Sequence, residues 1–225
     1  MAAENSGDSI RNRPRAPPGR CEDAGPPARL GYTRARTTPA RHSFLPFRPG
    51  YQRSVETWDA LRARRNVRAF SSQPISADHM DHVLEAGRRS PSSRNWQPWD
   101  FIVVTGPQRL ADLSRVSPGA AYVGGAAAAI ALIAHTPDSE RARDRCFYDL
   151  GQATMSIMVA AADLGIGTGH AGVADQVLAR KVLGFPEDRF CAFLIALGYP
   201  ADRPLTPVVR PDRHPFEEIV HREHW

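Results

Sequence analysis

The segment Arg64-Arg65-Asn66-Val67-Arg68-Ala69-Phe70 puts three arginines and an amide within five residues. Each guanidinium presents a planar fork of donors that matches a phosphate and stays charged when partly dehydrated. Arg64 can hold a phosphate while Arg68 reaches another part of the same ligand. A solvated face is the commoner use of such a cluster, because exposed charges need no partner. The second concentration is Pro91-Ser92-Ser93-Arg94-Asn95-Trp96-Gln97-Pro98-Trp99. Ser92, Ser93, Asn95 and Gln97 offer short donors and acceptors to a flat polar heterocycle. The prolines and tryptophans restrict the backbone and exclude water, although a Ser/Asn turn with tryptophans filling core would look the same.

Two further stretches are weaker alone. Gly165-Ile166-Gly167-Thr168-Gly169-His170-Ala171-Gly172 is rich in glycine, which permits close approach of backbone to a ligand. It lacks the Gly-Lys-Ser/Thr ending of a phosphate loop and does not fit GxGxxG, so by itself it is mostly a turn. Near the end, Arg210-Pro211-Asp212-Arg213-His214-Pro215 leads into Phe216-Glu217-Glu218-Ile219-Val220. Arg213 can complete an anion site begun by Arg64, or pair with Glu217 or Glu218.

The elements that must position these residues follow from periodicity and caps. Ser54 can cap a short helix through Ala63, and Ser76 a second one carrying Met80, Val83, Leu84 and Gly87 at helical spacing. Asp100–Thr105 and Ala126–His135 are predicted as buried strands, with a short amphipathic helix over Gln108–Val116 between them. The strongest helical stripe is Phe147, Leu150, Thr154, Ile157, Met158, Ala161 and Leu164, within a central helix over Arg141–Leu164. Asp175 can cap a helix stopping at Gly184, Phe190–Gly198 reads as a buried strand, and the chain from Tyr199 is Pro-rich and extended. Without a regular βαβ repeat, the order points to an α+β fold in which a sheet packs with helices.

Composition bounds the function classes. The 225 residues suffice for one domain with a sizeable core. Residues 1–53 hold ten arginines against four acids, a surplus of six. Out of a formal total of +5, the remaining chain therefore nets −1. This Pro/Arg-rich leader has no sustained apolar period and is expected to be disordered, with residues 54–225 forming the folded domain. A nucleic-acid partner is not expected, since the body is near neutral and no recognition motif accompanies the arginines. Cys21, Cys146 and Cys191 show no metal-ligand spacing, so no metal is expected, and a reducing compartment, the cytoplasm, is the simpler setting. The longest uncharged apolar run, 120–134, is shorter than the roughly 20 residues a membrane-spanning helix needs.

Together, and in this order, the four stretches resemble the nitroreductase family. The shared features are an RRSxRxF-like element, a PSxxNxQPW-like loop, a GxGT-like segment and an RxPxEEIV-like ending, over roughly Trp58 to Trp225. The resemblance implies an α+β fold in an intertwined homodimer, with FMN at the subunit interface and NADH or NADPH as electron donor. It places Arg64 and Arg65 at the FMN phosphate and ribityl chain, with Asn66 where the family has serine, and Arg68 at the pyrimidine edge. Pro91, Ser92, Ser93 and Asn95 reach the flavin from the partner subunit, with Gln97 shaping the loop. His170, Ala171 and Gly172 face the N5 region, and Arg213 meets the phosphate. No catalytic triad or paired carboxylate is required, since the flavin carries the chemistry. The expected acceptor is a small aromatic or quinone-like molecule, nitroaromatics included. Flavin fragmentation or dehalogenation are related reactions, and a nucleic-acid binder acting through its basic leader is the alternative class. Deleting residues 1–53 separates the classes: flavin binding should persist within about twofold in the enzyme, whereas a tail-driven binder would lose its salt-dependent affinity, measured by titration with DNA at two ionic strengths.

Overall fold

The computed structural model describes residues 57–225. The leader 1–53 and the Ser54 cap lie outside the described residues. The elements in chain order are α1 (Thr57–Ala63), α2 (Ala77–Arg88), β1 (Asp100–Val104), α3 (Pro107–Leu113), β2 (Ala128–His135), α4 (Glu140–Asp163), β3 (Gly167–Gly172), α5 (Gln176–Leu183), β4 (Arg189–Gly198) and α6 (Phe216–Ile219). Short 3-10 turns cover Ser93–Asn95 and Pro118–Gly125. The four strands form one antiparallel sheet in the order β1-β2-β4-β3. This is the expected α+β arrangement.

The sheet is covered on both faces, and the period of two in its central strands sorts the core into two layers. Ile130, Leu132 and Ala134 of β2 pack with Ile157, Leu150 and Val83 of α4 and α2. Their neighbours Ala129, Ala131 and Ile133 pack with Leu110 and Leu113 of α3 and Ala179 of α5. This is why β2 is an unbroken apolar run: both of its faces are buried, and only His135 at its end is exposed. The pairing of β2 with β4 slips between Leu132 and Ile133, which face Phe193 and Cys191. The slip leaves Ala192 as the extra residue of a bulge, so Ala192 and Phe193 both join the α4 layer.

Caps fix the helix starts as the sequence suggests. The Ser76 hydroxyl accepts from the His79 amide at 3.2 Å, and the Asp175 carboxylate accepts from the Leu178 amide at 2.8 Å. Along α4, Leu150, Ile157, Met158 and Ala161 of the expected stripe are buried, and Phe147 and Leu164 pack at its margins. No described helix is long and apolar enough to cross a membrane.

Two expectations are corrected. β1 is a sheet edge rather than a buried strand, with Asp100 and Val103 exposed, because only β2 pairs with it. The glycine-rich segment is not a turn: Gly167–Gly172 is a full edge strand, paired with β4 from Gly198 to Phe193. Glycine disfavours strands in general. Here its absent side chain is what the packing uses.

At the end of α2, the Glu85 carboxylate accepts from Arg88 Nε at 2.6 Å and from Arg89 Nε at 2.6 Å. These two hydrogen bonds hold its pKa down to about 2 from an ordinary 4.5. A depressed folded-state pKa contributes stability that is complete above about 4.5 and is lost as pH falls through about 2. The side chain is 41 % exposed, so screening limits the effect to below about 1 kcal/mol. Glu85→Gln is expected to lower the urea midpoint slightly at pH 7, with the difference from wild type vanishing toward pH 2.

Candidate functional site

Beyond Ala63 the chain leaves α1 and runs extended alongside the free edge of β3. Asn66 pairs with Thr168 in a parallel bridge, and the Val67 amide donates to the Thr168 carbonyl at 2.8 Å. Val67 is fully buried, whereas Asn66 and Arg68 on either side of it are exposed, as strand alternation requires. A Cβ on Gly169 would lie 2.6 Å from the Val67 carbonyl oxygen and 2.8 Å from a Tyr122 ring carbon; one on Gly167 would lie 2.6 Å from a Val67 methyl. The glycines therefore admit the arginine segment to contact distance. Phe70 continues the path by bridging to Pro200, with the Ser71 amide donating to the Tyr199 carbonyl at 2.8 Å.

The three arginines of the segment are in different states. Arg64 is partly buried, and its Nε is inaccessible to solvent without a hydrogen-bond partner among the described residues. A buried charged donor left unpaired is costly, and this one is suited to an anion. Arg65 Nη2 donates to the Asp202 carboxylate at 2.7 Å and to the Arg203 carbonyl at 2.8 Å, which holds the Asp202 carboxyl below its ordinary pKa. Its Nε is also buried and unpartnered. The exposed Arg68 places its guanidinium 5.8 Å from the centre of the Tyr122 ring, a cation–π contact. Burial pushes the Tyr122 phenol up, and Arg68 partly offsets it.

The Pro91–Trp99 loop is held by its own polar groups and by α4. The Gln97 amide donates to Ser92 Oγ at 2.9 Å, and Gln97 Nε2 donates to the Asn95 side-chain oxygen at 3.1 Å. Ser93 donates from its backbone to both carboxylate oxygens of Asp149, at 3.1 and 3.0 Å, and from its hydroxyl at 3.3 Å. Arg94, Asn95 and Gln97 adopt φ of 53°, 57° and 52°. Left-handed conformations are sparsely populated by L residues and gather where surrounding structure and function demand them. Trp99 is core and stacks on Phe101, but Trp96 is 47 % exposed beside the loop's polar groups.

On β3, His170 and Gly172 are exposed and Ala171 is buried. Arg213 is exposed and donates to the Asp212 carbonyl instead of to Glu217 or Glu218. The tail that bears it is tied back to the end of α1, just before the arginine segment, since the Val208 amide donates to the Arg62 carbonyl at 3.1 Å.

The structure thus joins the arginine segment to the glycine strand and ties the start of the tail beside them. The loop leads into β1, at one edge of the sheet, and its Pro91 lines a cleft with Ala60 of α1, while the arginine segment lies along β3 at the other edge, with β2 and β4 between. Three strand spacings of about 4.8 Å separate the two edges. No hydrogen bond or ion pair connects the two groups among the described residues.

Three positioning residues escaped the sequence reading. Asp149 is hidden beside the apolar stripe of a helix, a buried carboxylate at 1 % exposure being its only distinguishing mark. Tyr122 lies in the short 3-10 segment Pro118–Gly125 and Asp202 in a bend after β4, neither with a periodic signal. Cys146, one turn before Asp149, keeps its proton: burial, with Asp149 adding, pushes the thiol up to about 11.

Comparison with known proteins bears on this arrangement. Residues 61–199 match the model of the nitroreductase family. A protein of Archaeoglobus fulgidus described as an NADH dehydrogenase/NAD(P)H nitroreductase is 34 % identical over 169 residues, covering 73 % of this chain and 96 % of its own. An FMN reductase [NAD(P)H] of Bacillus subtilis is 26 % identical over 191 residues, covering 75 % of this chain and 74 % of its own. Among solved structures, an FMN-dependent nitroreductase of Clostridium difficile superposes with a TM-score of 0.65 at 23 % identity, over 74 % of this chain and 98 % of that one. The last is a likeness of fold.

The close approach at Gly169 is testable by stability. Gly169→Ala is expected to lower unfolding free energy by about 2 kcal/mol in urea titration, since the added methyl meets backbone that cannot move aside. Gly172→Ala, where a Cβ meets nothing within 4 Å, should stay near wild type.

Proposed function

The chain belongs to the nitroreductase family, and on that premise we propose that it is an FMN-dependent oxidoreductase carrying hydride from NADH or NADPH to a small aromatic or quinone-like acceptor, nitroaromatics included. The observation that carries this reading is the arginine segment laid against the glycine strand, with the buried Nε of Arg64 lacking a partner among the described residues. An anionic phosphate satisfies that donor. The FMN reductase of Bacillus subtilis among its relatives supports the same cofactor.

FMN supplies, when bound, the two-electron acceptor that takes hydride from the nicotinamide and passes it on in a ping-pong cycle. The protein's part is binding, orientation and charge. Arg64 and Arg213 would hold the phosphate, and Arg65 would turn the donors not engaged by Asp202 toward the ribityl chain, beside Asn66. Arg68 brings positive charge to the pyrimidine edge, where negative charge accumulates on reduction, and Tyr122 steadies it. His170, Ala171 and Gly172 would face the N5 region of the flavin, with glycine backbone leaving room for close approach.

Ser92, Ser93, Asn95 and Gln97, with Pro91, complete the site from a second copy of the chain. The position of the loop and the arginine segment at opposite sheet edges supports this sharing. So do the exposed Tyr148 and Met155 on α4, apolar surface of the kind a homodimer covers. Cys146 and Cys191 are both buried and unpaired, which supports a reducing setting such as the cytoplasm.

The visible absorption spectrum of the purified chain tests the reading. A flavin band is expected, FMN should be the chromophore released on denaturation, and NADH or NADPH should bleach it. A chain that stays colourless after incubation with FMN rules the proposal out. Arg64→Ala is expected to weaken FMN binding by about tenfold or more, read by fluorescence titration.

A further inference from the structure

Beside its apolar stripe, α4 carries a second line of side chains at Asp149, Gln152 and Ser156, spaced three and four residues and hence on one face. All three are polar, and two of them bond out of the helix to the stretch that contains the loop. Asp149 is 1 % exposed. Ser93 donates to it three times, and Gln152 Nε2 lies 3.4 Å from the same Oδ1. Two turns further on, Ser156 Oγ accepts from the buried Ser90 Oγ at 2.8 Å and donates to the Gln152 carbonyl at 3.0 Å. The chain is thus fastened to α4 on both sides of Pro91. The three left-handed residues follow at once, at Arg94, Asn95 and Gln97.

A carboxylate inside a helical core is unfavourable unless its oxygens are hydrogen-bonded. Equally, a backbone amide at the start of a tight turn needs an acceptor. Asp149 and Ser93 satisfy each other, and the reciprocal need makes the junction specific. A run of left-handed non-glycine residues persists only where neighbours over-determine it. The anchor at Ser93 and the internal bonds of Ser92, Asn95 and Gln97 provide that determination.

We infer that Asp149 is a positioning residue for cofactor binding: through Ser93 it holds the turn of residues 92–97, left-handed at Arg94, Asn95 and Gln97, that presents Ser92, Ser93 and Asn95 to the flavin. This rests on the FMN reading above. Flavin affinity thereby depends on the register of α4 against the loop.

The test uses the full chain and two readouts. In amide hydrogen exchange without cofactor, Asp149→Asn is expected to speed exchange over residues 93–97 by about tenfold, leaving protection in β2 and β4 at the wild-type level. In FMN titration, the same variant should raise Kd by about tenfold or more, while flavin reduction by NADH at saturating FMN falls less than about threefold. A Kd within twofold of wild type overturns the inference. Protection lost evenly across β2, β4 and the loop also overturns it, since Asp149 would then serve the core alone. Should the variant fail to fold, the wild-type protein decides: a Ser93 amide exchanging like an exposed one overturns the anchor, and strong protection upholds it. A wild type that takes up no FMN overturns the inference through the reading beneath it, and an intact exchange contrast at 93–97 shows that the anchor itself had not failed.

Discussion

The contact on which the rest depends is the hydrogen bond of the Val67 amide to the Thr168 carbonyl, on a strand in which three of six residues are glycine. The Val67 carbonyl sits where a Gly169 methyl would otherwise be, and the Val67 methyls sit where a Gly167 side chain would be. Because Val67 is buried, its neighbours Asn66 and Arg68 must point outward, and Arg64 is left at the margin with an unpartnered donor. One apolar residue and two glycines therefore set the direction of a whole cationic segment. Gly198 continues the same device under Phe70, so the segment is seated along its length.

Around this seam the two-faced sheet acts as a rigid spacer. β2 and β4 are apolar on both faces and hold β1, into which the serine-rich loop leads, and β3, along which the arginine segment runs, at opposite edges of the sheet. A site that uses both sets cannot be closed by shifting a loop. On the proposal that a second copy of the chain completes the site, occupancy and assembly are linked quantities.

Much of the fold was legible because its signals are local. The stripe of Leu150, Ile157 and Ala161, the caps Ser76 and Asp175, and the unbroken run of β2 each follow from a few adjacent residues. What was not legible depends on partners distant in sequence. Gly165–Gly172 looks like a turn until Val67 and β4 lie against it, and Asp100–Val104 looks buried until the sheet order makes it an edge. The candidate site divides in the same way. Residue types suited to phosphate and to a heterocycle were visible at Arg64, Arg68, Ser92, Ser93 and Asn95. The residues that hold them, Asp149 for the loop, Asp202 for Arg65 and Tyr122 for Arg68, come from 56, 137 and 54 positions away and carry no motif.

The burial of β2 on both faces has a consequence for synthesis. Its apolar run ends at His135, and its inner neighbour β4 begins at Arg189, with all of α4, β3 and α5 in between. At roughly 5–20 residues per second a ribosome leaves that edge unpaired for several seconds. During this interval β2 has only the β1 partner on one side, and its open edge is an uncharged, strand-forming template of the kind that recruits other chains. The strand that makes the finished sheet rigid is thus, in the growing chain, the segment most in need of α4 as a temporary cover.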